Sequence, residues 1–171
     1  SRYFSAFMAT RLEVEQANVL YHPNGITTDG FSCNENVVSP PTVGFLARLC
    51  PLKGLDILID AFLILKKSSK HTDLRLEIAG GMTEEDEPFV QEQKDKLESA
   101  SLSACSIFRP NIERDEKLKF LRGLNVFSVP SRYPEAFGLY VIEALAAGTP
   151  VVLPKSGAFP EIVEDTGGGI I

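Results

Sequence analysis

The chain has few histidines and few cysteines, and both shortages exclude classes of site. Its two histidines, His22 and His71, disfavour a histidine-dependent hydrolase and a metal centre built on imidazole ligands. Its three cysteines are odd in number and far apart, at Cys33, Cys50 and Cys105. They indicate reduced thiols rather than a disulfide framework or a zinc site.

Long apolar runs and basic clusters are also absent. No stretch reaches the length of a transmembrane helix, and no signal peptide is visible. The net charge is −6 without a basic block, so nucleic acid is not an expected partner. Together with the thiols, these features predict a cytoplasmic protein, with the cytosolic face of a membrane as an alternative location.

What remains is the composition of a globular protein of 171 residues, with 44% hydrophobic and 23% charged residues. That length favours one domain with its own core. The chain does not begin with methionine and stops at the apolar run GGGII, so we expect a piece of a larger protein. Residues 1–41 are predicted to be a lead-in segment, with an amphipathic helix over 1–20 and then an exposed loop, and 42–171 to be the main domain.

From residue 42 onward, short apolar runs alternate with segments of helical periodicity. Strands are predicted at 42–49, 74–80, 105–110, 125–130 and 149–154, with the start of a sixth at 167–171, and helices at 55–67, 87–100, 112–124 and 138–148. Strands that alternate with helices predict an α/β fold with a parallel sheet covered on both faces. The expected architecture is a Rossmann-like, doubly wound domain with strand order 3-2-1-4-5-6.

In that strand order, ligands bind at the carboxyl ends of the first and fourth strands, where the sheet reverses direction. Arg48 and Lys53 follow the first strand, Glu135 follows the fourth, and Glu143 lies in the next helix. We therefore expect these four side chains to face one crevice. Two cations at this place suit a diphosphate, whereas solvated surface charges are the alternative interpretation.

The start of the helix after the fourth strand is a candidate anion site. The amides of Phe137, Gly138 and Leu139 lack partners within the helix, and Gly138 allows close approach of a ligand. Carboxylates repel phosphate but bind hydroxyls, so Glu135 and Glu143 suit two polyol sites that flank the phosphate, one of them a ribose. The alternative interpretations are that Gly138 only starts the helix, that Glu135 is a loop charge and that Glu143 is a solvated helix residue. The apolar stripe of this helix is predicted at 139, 142 and 146.

Four segments resemble a known family: VGFLARLCPLKGLDILIDAF, LRLEIAGG, LNVFSVPSRYPEAFGLYVIEALAAGTPVV and SGAFPEIVEDTGGG. They are similar to the nucleotide-binding, carboxy-terminal domain of retaining glycosyltransferases with the GT-B fold, the group 1 type of family 4. YHPNGI resembles the segment that enters this domain, so the resemblance covers about residues 18–171. The R-x4-KG loop and the E-x7-E motif, in this order, are specific to the family. The resemblance implies sugar transfer from a UDP- or GDP-linked donor to an acceptor, with retention of anomeric configuration.

The resemblance implies catalytic roles for Arg48, Lys53 and Glu135. Arg48 and Lys53 match the cations that hold the donor diphosphate and stabilise the leaving nucleotide diphosphate. Glu135 matches the first glutamate of the motif, which holds hydroxyls of the donor sugar. Glu143 matches the second glutamate, which binds the ribose hydroxyls.

Six further positions match donor-binding positions of the family. Three are amides near the phosphate and sugar, and three form the edge that binds the base. They are Phe137, Gly138 and Leu139 for the amides, and Phe108, Arg109 and Pro110 for the base edge.

The same resemblance implies that no metal or other cofactor is needed. The acidic run at 84–86, EED, does not have the D-x-D pattern of metal-dependent glycosyltransferases. The resemblance also implies that an amino-terminal domain, which binds the acceptor, is missing here. Residues 1–171 alone are therefore not expected to transfer sugar. Glu161, in a further family-like segment at 157–161, is predicted to be structural.

The sequence lacks the motifs of two other classes of enzyme. A nicotinamide dehydrogenase requires G-x-G-x-x-G after the first strand, and a phosphate-loop hydrolase requires GxxxxGK[ST]; the sequence has neither. A non-catalytic sugar-nucleotide-binding module, and a GT-B phosphorylase or epimerase, remain open alternatives.

Overall fold

Six strands form one sheet in the computed structural model, which describes residues 1–33 and 38–171. The predicted exposed loop extends over 34–37, and that part of it lies outside the described residues. The strands are β1 (Thr42–Leu46), β2 (Arg75–Gly80), β3 (Ser106–Pro110), β4 (Val126–Phe127), β5 (Val151–Val152) and β6 (Gly169–Ile170). The helices are α1 (Arg2–Leu12), α2 (Leu55–Lys66), α3 (Glu87–Ser99), α4 (Arg114–Arg122), α5 (Leu139–Ala146) and α6 (Phe159–Thr166).

The sheet order is β3-β2-β1-β4-β5-β6, and the paired strands are parallel. This confirms the predicted Rossmann-like, doubly wound α/β fold and its strand order. Buried Phe45, Leu76, Ile78 and Phe127 on the central strands form the core with residues of α2 and α5. The carboxyl ends of β1 and β4 are therefore neighbours at one edge of the sheet.

The predictions omitted one helix and gave the wrong buried face for another. Helix α6 was not predicted, although its length of eight residues and its early proline also occur in the predicted helices α5 and α3. The apolar stripe predicted for α5 at 139, 142 and 146 is wrong, since the fully buried residues are Val141 and Ala144, and Leu139 is 46% exposed. Every residue of α5 except Glu143 is apolar or aromatic, so hydrophobicity alone cannot show which face is buried.

Helix α1 of the lead-in segment is bound to α6 of the domain. Helix α1 is shorter than the predicted 1–20, because Glu13 adopts a left-handed conformation, with φ at 55°, and ends it. The Glu161 carboxylate accepts hydrogen bonds from the amides of Arg2 and Tyr3, at 2.7 and 2.6 Å. Glu161 therefore caps the amino end of α1, where a negative charge also complements the helix dipole.

Candidate functional site

The loops that follow β1 and β4 are in direct contact at the carboxyl edge of the sheet. Gly54 has φ at +74°, and a Cβ atom on it would lie 2.0 Å from the Pro130 carbonyl oxygen. The amide of Arg132 donates to the Leu52 carbonyl at 2.9 Å. The two loops thus meet at the edge of the sheet where the strand order predicts a ligand crevice.

Within this crevice, the Lys53 ammonium and the Glu135 carboxylate form an ion pair. Lys53 Nζ contacts Glu135 Oε1, and the two side chains are 17% and 9% exposed. The Tyr140 hydroxyl donates to the same oxygen at 2.8 Å. Lys53 Nζ also lies 5.0 Å from the Tyr133 ring centroid and 5.8 Å from that of Tyr140, within cation–π range. The structure thus brings together two of the predicted site residues and adds two tyrosines.

Tyr140 was missed by the sequence analysis. Burial, and then the charge and hydrogen bond of Glu135, raise the pKa of Tyr140 far above its usual range. The phenol therefore stays protonated and remains a donor to Glu135 throughout the physiological pH range. A tyrosine in the first turn of a helix, five residues after a loop carboxylate, was the signal that the sequence offered.

Arg48 is engaged with a different carboxylate, that of Asp86. Its Nε lies 3.1 Å from Asp86 Oδ2, and Asp86 also accepts from the amide and the hydroxyl of Thr83. Burial raises the pKa of Asp86, but the Thr83 amide, Arg48 and the Thr83 hydroxyl outweigh it and hold the pKa below its ordinary value. The EED run thus contributes a buried, ionised partner for the predicted diphosphate arginine.

Glu143 pairs with Lys117 of α4, whose Nζ lies 2.6 Å from Glu143 Oε1. Both side chains are partly buried, and the pair ties α4 to α5. Lys117 was not predicted as a site residue, because it lies 26 residues before Glu143 in a helix with many charges. The ribose-binding role of Glu143 stays a prediction. In the structure the Glu143 carboxylate is bound to the Lys117 ammonium.

The amino end of α5 has the unpaired amides that an anion site requires. Gly138 adopts φ at +78°, and the amides of Phe137, Gly138 and Leu139 donate no hydrogen bond to any described residue. The preceding loop is fixed by Gly157, where a Cβ atom would lie 2.5 Å from the Glu135 amide nitrogen. The Glu135 backbone and the free amides are thus held next to each other.

The predicted base edge lies at the end of β3, two strands away from β1. Arg109 Nε donates to Glu77 at 3.2 Å, and Lys94 Nζ lies 5.4 Å from the Phe108 ring centroid. Arg109 also lines a surface groove of about 550 Å³ with Glu77 and residues of α4. None of Lys53, Glu135 and Glu143 lines this groove, so the base-binding role of Phe108, Arg109 and Pro110 stays a prediction.

Among residues 1–33 and 38–171, no cluster of three or more histidine, cysteine or acidic side chains could hold a metal ion. None of the helices in these two ranges is both long enough and apolar enough to cross a membrane.

Arg132 ties the loop after β4 to α2. Its guanidinium forms a bidentate ion pair with Asp56 and donates to the Pro51 carbonyl at 2.6 Å. The hydrogen bond and charge of Arg132 lower the pKa of Asp56 despite its partial burial. Arg132 therefore links the loop that carries Glu135 both to α2, through Asp56, and to the loop that carries Lys53, through Pro51.

We expect this ion pair to make part of the stability depend on acid pH. Because the folded-state pKa of Asp56 is depressed, its contribution of about 1 kcal/mol is present above the ordinary aspartate pKa of about 3.9 and is lost as the pH falls through the lower folded value. The difference in unfolding free energy between the unmodified chain and Asp56→Asn should shrink between pH 7 and pH 3. Urea titrations measure it, with the exposed Asp73→Asn as control. A difference that grows on acidification would contradict the depressed pKa.

Comparison with known proteins gives consistent matches. A family model described as "Glycosyl transferases group 1" matches residues 33–171. The chain is 30% identical over 175 residues to a D-inositol 3-phosphate glycosyltransferase of Mycobacterium sp. strain KMS, a match that covers 91% of this chain and 38% of that protein.

Solved structures at more than 25% identity also match, and two of them illustrate the likeness. The C-terminal domain of the group 1 family glycosyl transferase LpcC from Francisella tularensis is 29% identical, with a TM-score of 0.73 over 86% of this chain and 80% of that one. Anabaena HepE, solved in complex with UDP and glucose, is 27% identical, with a TM-score of 0.63 over 71% of this chain and 31% of that one.

Proposed function

Because the chain belongs to the group 1 glycosyl transferases, we propose that it is the donor-binding domain of a retaining glycosyltransferase that uses a nucleotide diphosphate sugar without a metal ion. Membership agrees with the resemblance seen in the sequence. The observation that carries the proposal is the Lys53–Glu135 ion pair, which lies where β1 and β4 end and near the open amides of α5. It combines a cation for phosphate with a carboxylate for hydroxyls in one crevice.

The proposed division of labour follows from the charges. The diphosphate would lie at the amino end of α5, where the amides of Phe137, Gly138 and Leu139 meet the positive end of the helix dipole. Lys53 and Arg48 would supply positive charge to the phosphates and so stabilise the leaving nucleotide diphosphate. Lys53 contacts Glu135, so a diphosphate bound here would compete with that carboxylate for the ammonium.

The two glutamates would bind the two sugars on either side of the diphosphate. Glu135 would accept from hydroxyls of the transferred sugar, and Glu143 from the ribose. The HepE structure contains UDP and glucose, which supports a uridine-linked donor, with a guanosine-linked donor as the alternative. The chain spans 38% of the Mycobacterium relative, so we propose that acceptor binding and transfer require a further domain.

A titration of residues 1–171 tests this proposal. Isothermal calorimetry with UDP, GDP, ADP and NAD, each with and without magnesium, should give the tightest binding for UDP or GDP, with no need for metal. Glu143→Ala should weaken that binding about tenfold, the loss expected for a hydrogen bond to a charged group. Glu92→Ala, an exposed helix glutamate in α3, is the matched control and should bind as the unmodified chain does.

Three results would contradict the proposal. They are a preference for NAD, a requirement for magnesium, and unchanged nucleotide affinity in Glu143→Ala. Sugar transfer by residues 1–171 alone would overturn the assignment of acceptor binding to another domain.

A further inference from the structure

Both protein donors on the Glu135 side chain converge on one carboxylate oxygen. Lys53 Nζ and the Tyr140 hydroxyl both bind Oε1, and the described residues place no donor on Oε2. The Glu135 side chain is only 9% exposed, so its charge depends on these two partners for compensation. The orientation of the carboxylate is therefore set by where Lys53 and Tyr140 lie.

Of these two donors, Tyr140 is the more firmly placed. Its ring packs against two fully buried phenylalanines, with centroid distances of 6.1 Å to Phe127 and 6.4 Å to Phe159. It also lies in the first turn of α5, whereas Glu135 lies in the preceding loop. A hydroxyl that is fixed by the core can hold a loop carboxylate in one geometry.

The two donors differ in what a ligand would do to them. Lys53 is a cation that the proposed function assigns to the diphosphate, and binding there would draw it away from Glu135. Tyr140 is a neutral donor, which a phosphate does not attract in the same way. After Lys53 moves, the Tyr140 hydroxyl is the remaining donor on Glu135 among the described residues.

We propose that Tyr140 is a positioning residue for donor-sugar recognition: its hydroxyl keeps Oε1 of Glu135 occupied and thereby directs Oε2 towards a hydroxyl of the sugar. This inference rests on the proposed function, since it names the sugar of a nucleotide diphosphate sugar as the ligand of Oε2. It assigns a role to a residue that the proposed function does not place on the diphosphate. It also predicts that the hydroxyl matters for the sugar and not for the nucleotide.

The test is the ratio of affinities for UDP-glucose and UDP, with GDP-mannose and GDP measured in the same way. Tyr140→Phe keeps the ring and its packing but removes the hydroxyl. It should lower the ratio of nucleotide-sugar affinity to nucleotide diphosphate affinity about tenfold for the preferred nucleotide, which corresponds to one hydrogen bond to a charged group. The affinity for the nucleotide diphosphate itself should change less than about threefold. A purely structural role would weaken both ligands equally.

Tyr3→Phe is the matched control, because Tyr3 is an exposed tyrosine of α1 that lies outside the site and makes no hydrogen bond to Glu135. It should leave the ratio unchanged. An unchanged ratio in Tyr140→Phe, or an equal loss for both ligands, would overturn the positioning role.

A ligand-free measurement separates failure of this inference from failure of the proposed function. The Tyr140 hydroxyl proton should give a slowly exchanging signal in the proton NMR spectrum, lost in Tyr140→Phe and in Glu135→Ala but kept in Tyr3→Phe. Absence of that signal contradicts the inference directly. If the signal is present and no nucleotide sugar binds, the proposed function is wrong and the sugar-positioning role falls with it.

Discussion

Gly80→Ala is expected to destabilise the protein by about 3 kcal/mol or more, a large part of the roughly 5–15 kcal/mol that holds a typical domain together. Gly80 ends β2 with φ at +142°, a conformation that L-residues rarely adopt. A Cβ atom there would lie 1.7 Å from the Ala47 carbonyl oxygen. Relief would require the backbone itself to move, because the atom that it meets is backbone and not the end of a flexible side chain.

The surrounding sheet opposes that movement. Gly80 is paired with Pro110 of β3, and its carbonyl accepts from the amide of Asn111 at 2.8 Å. On the other side, the Ala47 amide donates to the Ala79 carbonyl at 3.3 Å. A shift large enough to admit a methyl group would break this pairing between three strands, so strain and lost hydrogen bonds add together.

The neighbouring glycine supplies the control. A Cβ atom on Gly81 would meet no atom within 4 Å, and Gly81 does not have a positive φ. Gly81→Ala should therefore change the unfolding free energy by less than about 0.5 kcal/mol. Urea unfolding of the two variants measures the contrast, and similar values for both would show that the close approach of Gly80 to β1 is not the constraint.

The sheet could be predicted from the sequence because it depends on patterns that the sequence carries directly. Short apolar runs between helical segments indicate the number of parallel strands, and the common doubly wound topology supplies their order. The lengths of the later strands were not predictable in the same way. Residues 125–130 and 149–154 were predicted as strands, but β4 is Val126–Phe127 and β5 is Val151–Val152. The residues that follow each of these strands, at 128–130 and 153–154, lie in irregular segments instead.

The candidate site was partly predictable for a related reason. The switch-point rule places Lys53 and Glu135 at the ends of neighbouring strands, and their contact agrees with it. The rule says nothing about the tips of long side chains. Asp86, Lys117 and Tyr140 therefore emerge only from the structure, which gives Arg48 and Glu143 partners that strand order does not specify.

The second large effect on stability is expected from breaking the buried ion pair between Lys53 and Glu135. Lys53→Met should cost about 3 kcal/mol of stability, since it leaves the Glu135 carboxylate buried without its cation. Glu135→Gln should cost less, because the amide can still accept from Tyr140 and Lys53 keeps two aromatic rings nearby. In the double variant neither buried charge remains, so much of the loss should be recovered. A double-mutant cycle should therefore give a coupling of about 2 kcal/mol.

A solvated pair in the same chain provides the comparison. Lys96 and Asp60 also form a lysine–carboxylate ion pair, but their side chains are 37% and 56% exposed. The cycle of Lys96→Met and Asp60→Asn should give less than about 1 kcal/mol. Equal couplings in the two cycles would mean that burial does not strengthen the Lys53–Glu135 interaction.

The same two substitutions should act in opposite directions on nucleotide binding. On the proposed function, the diphosphate and Glu135 compete for Lys53, so Lys53→Met should weaken UDP binding tenfold or more, the loss expected for a charged contact. Glu135→Gln releases the ammonium and should strengthen UDP binding several-fold, while it weakens the preference for UDP-glucose over UDP. Calorimetry on both variants measures the two signs. Weaker UDP binding in Glu135→Gln would show that Glu135 holds Lys53 in place for the phosphate and does not compete for it.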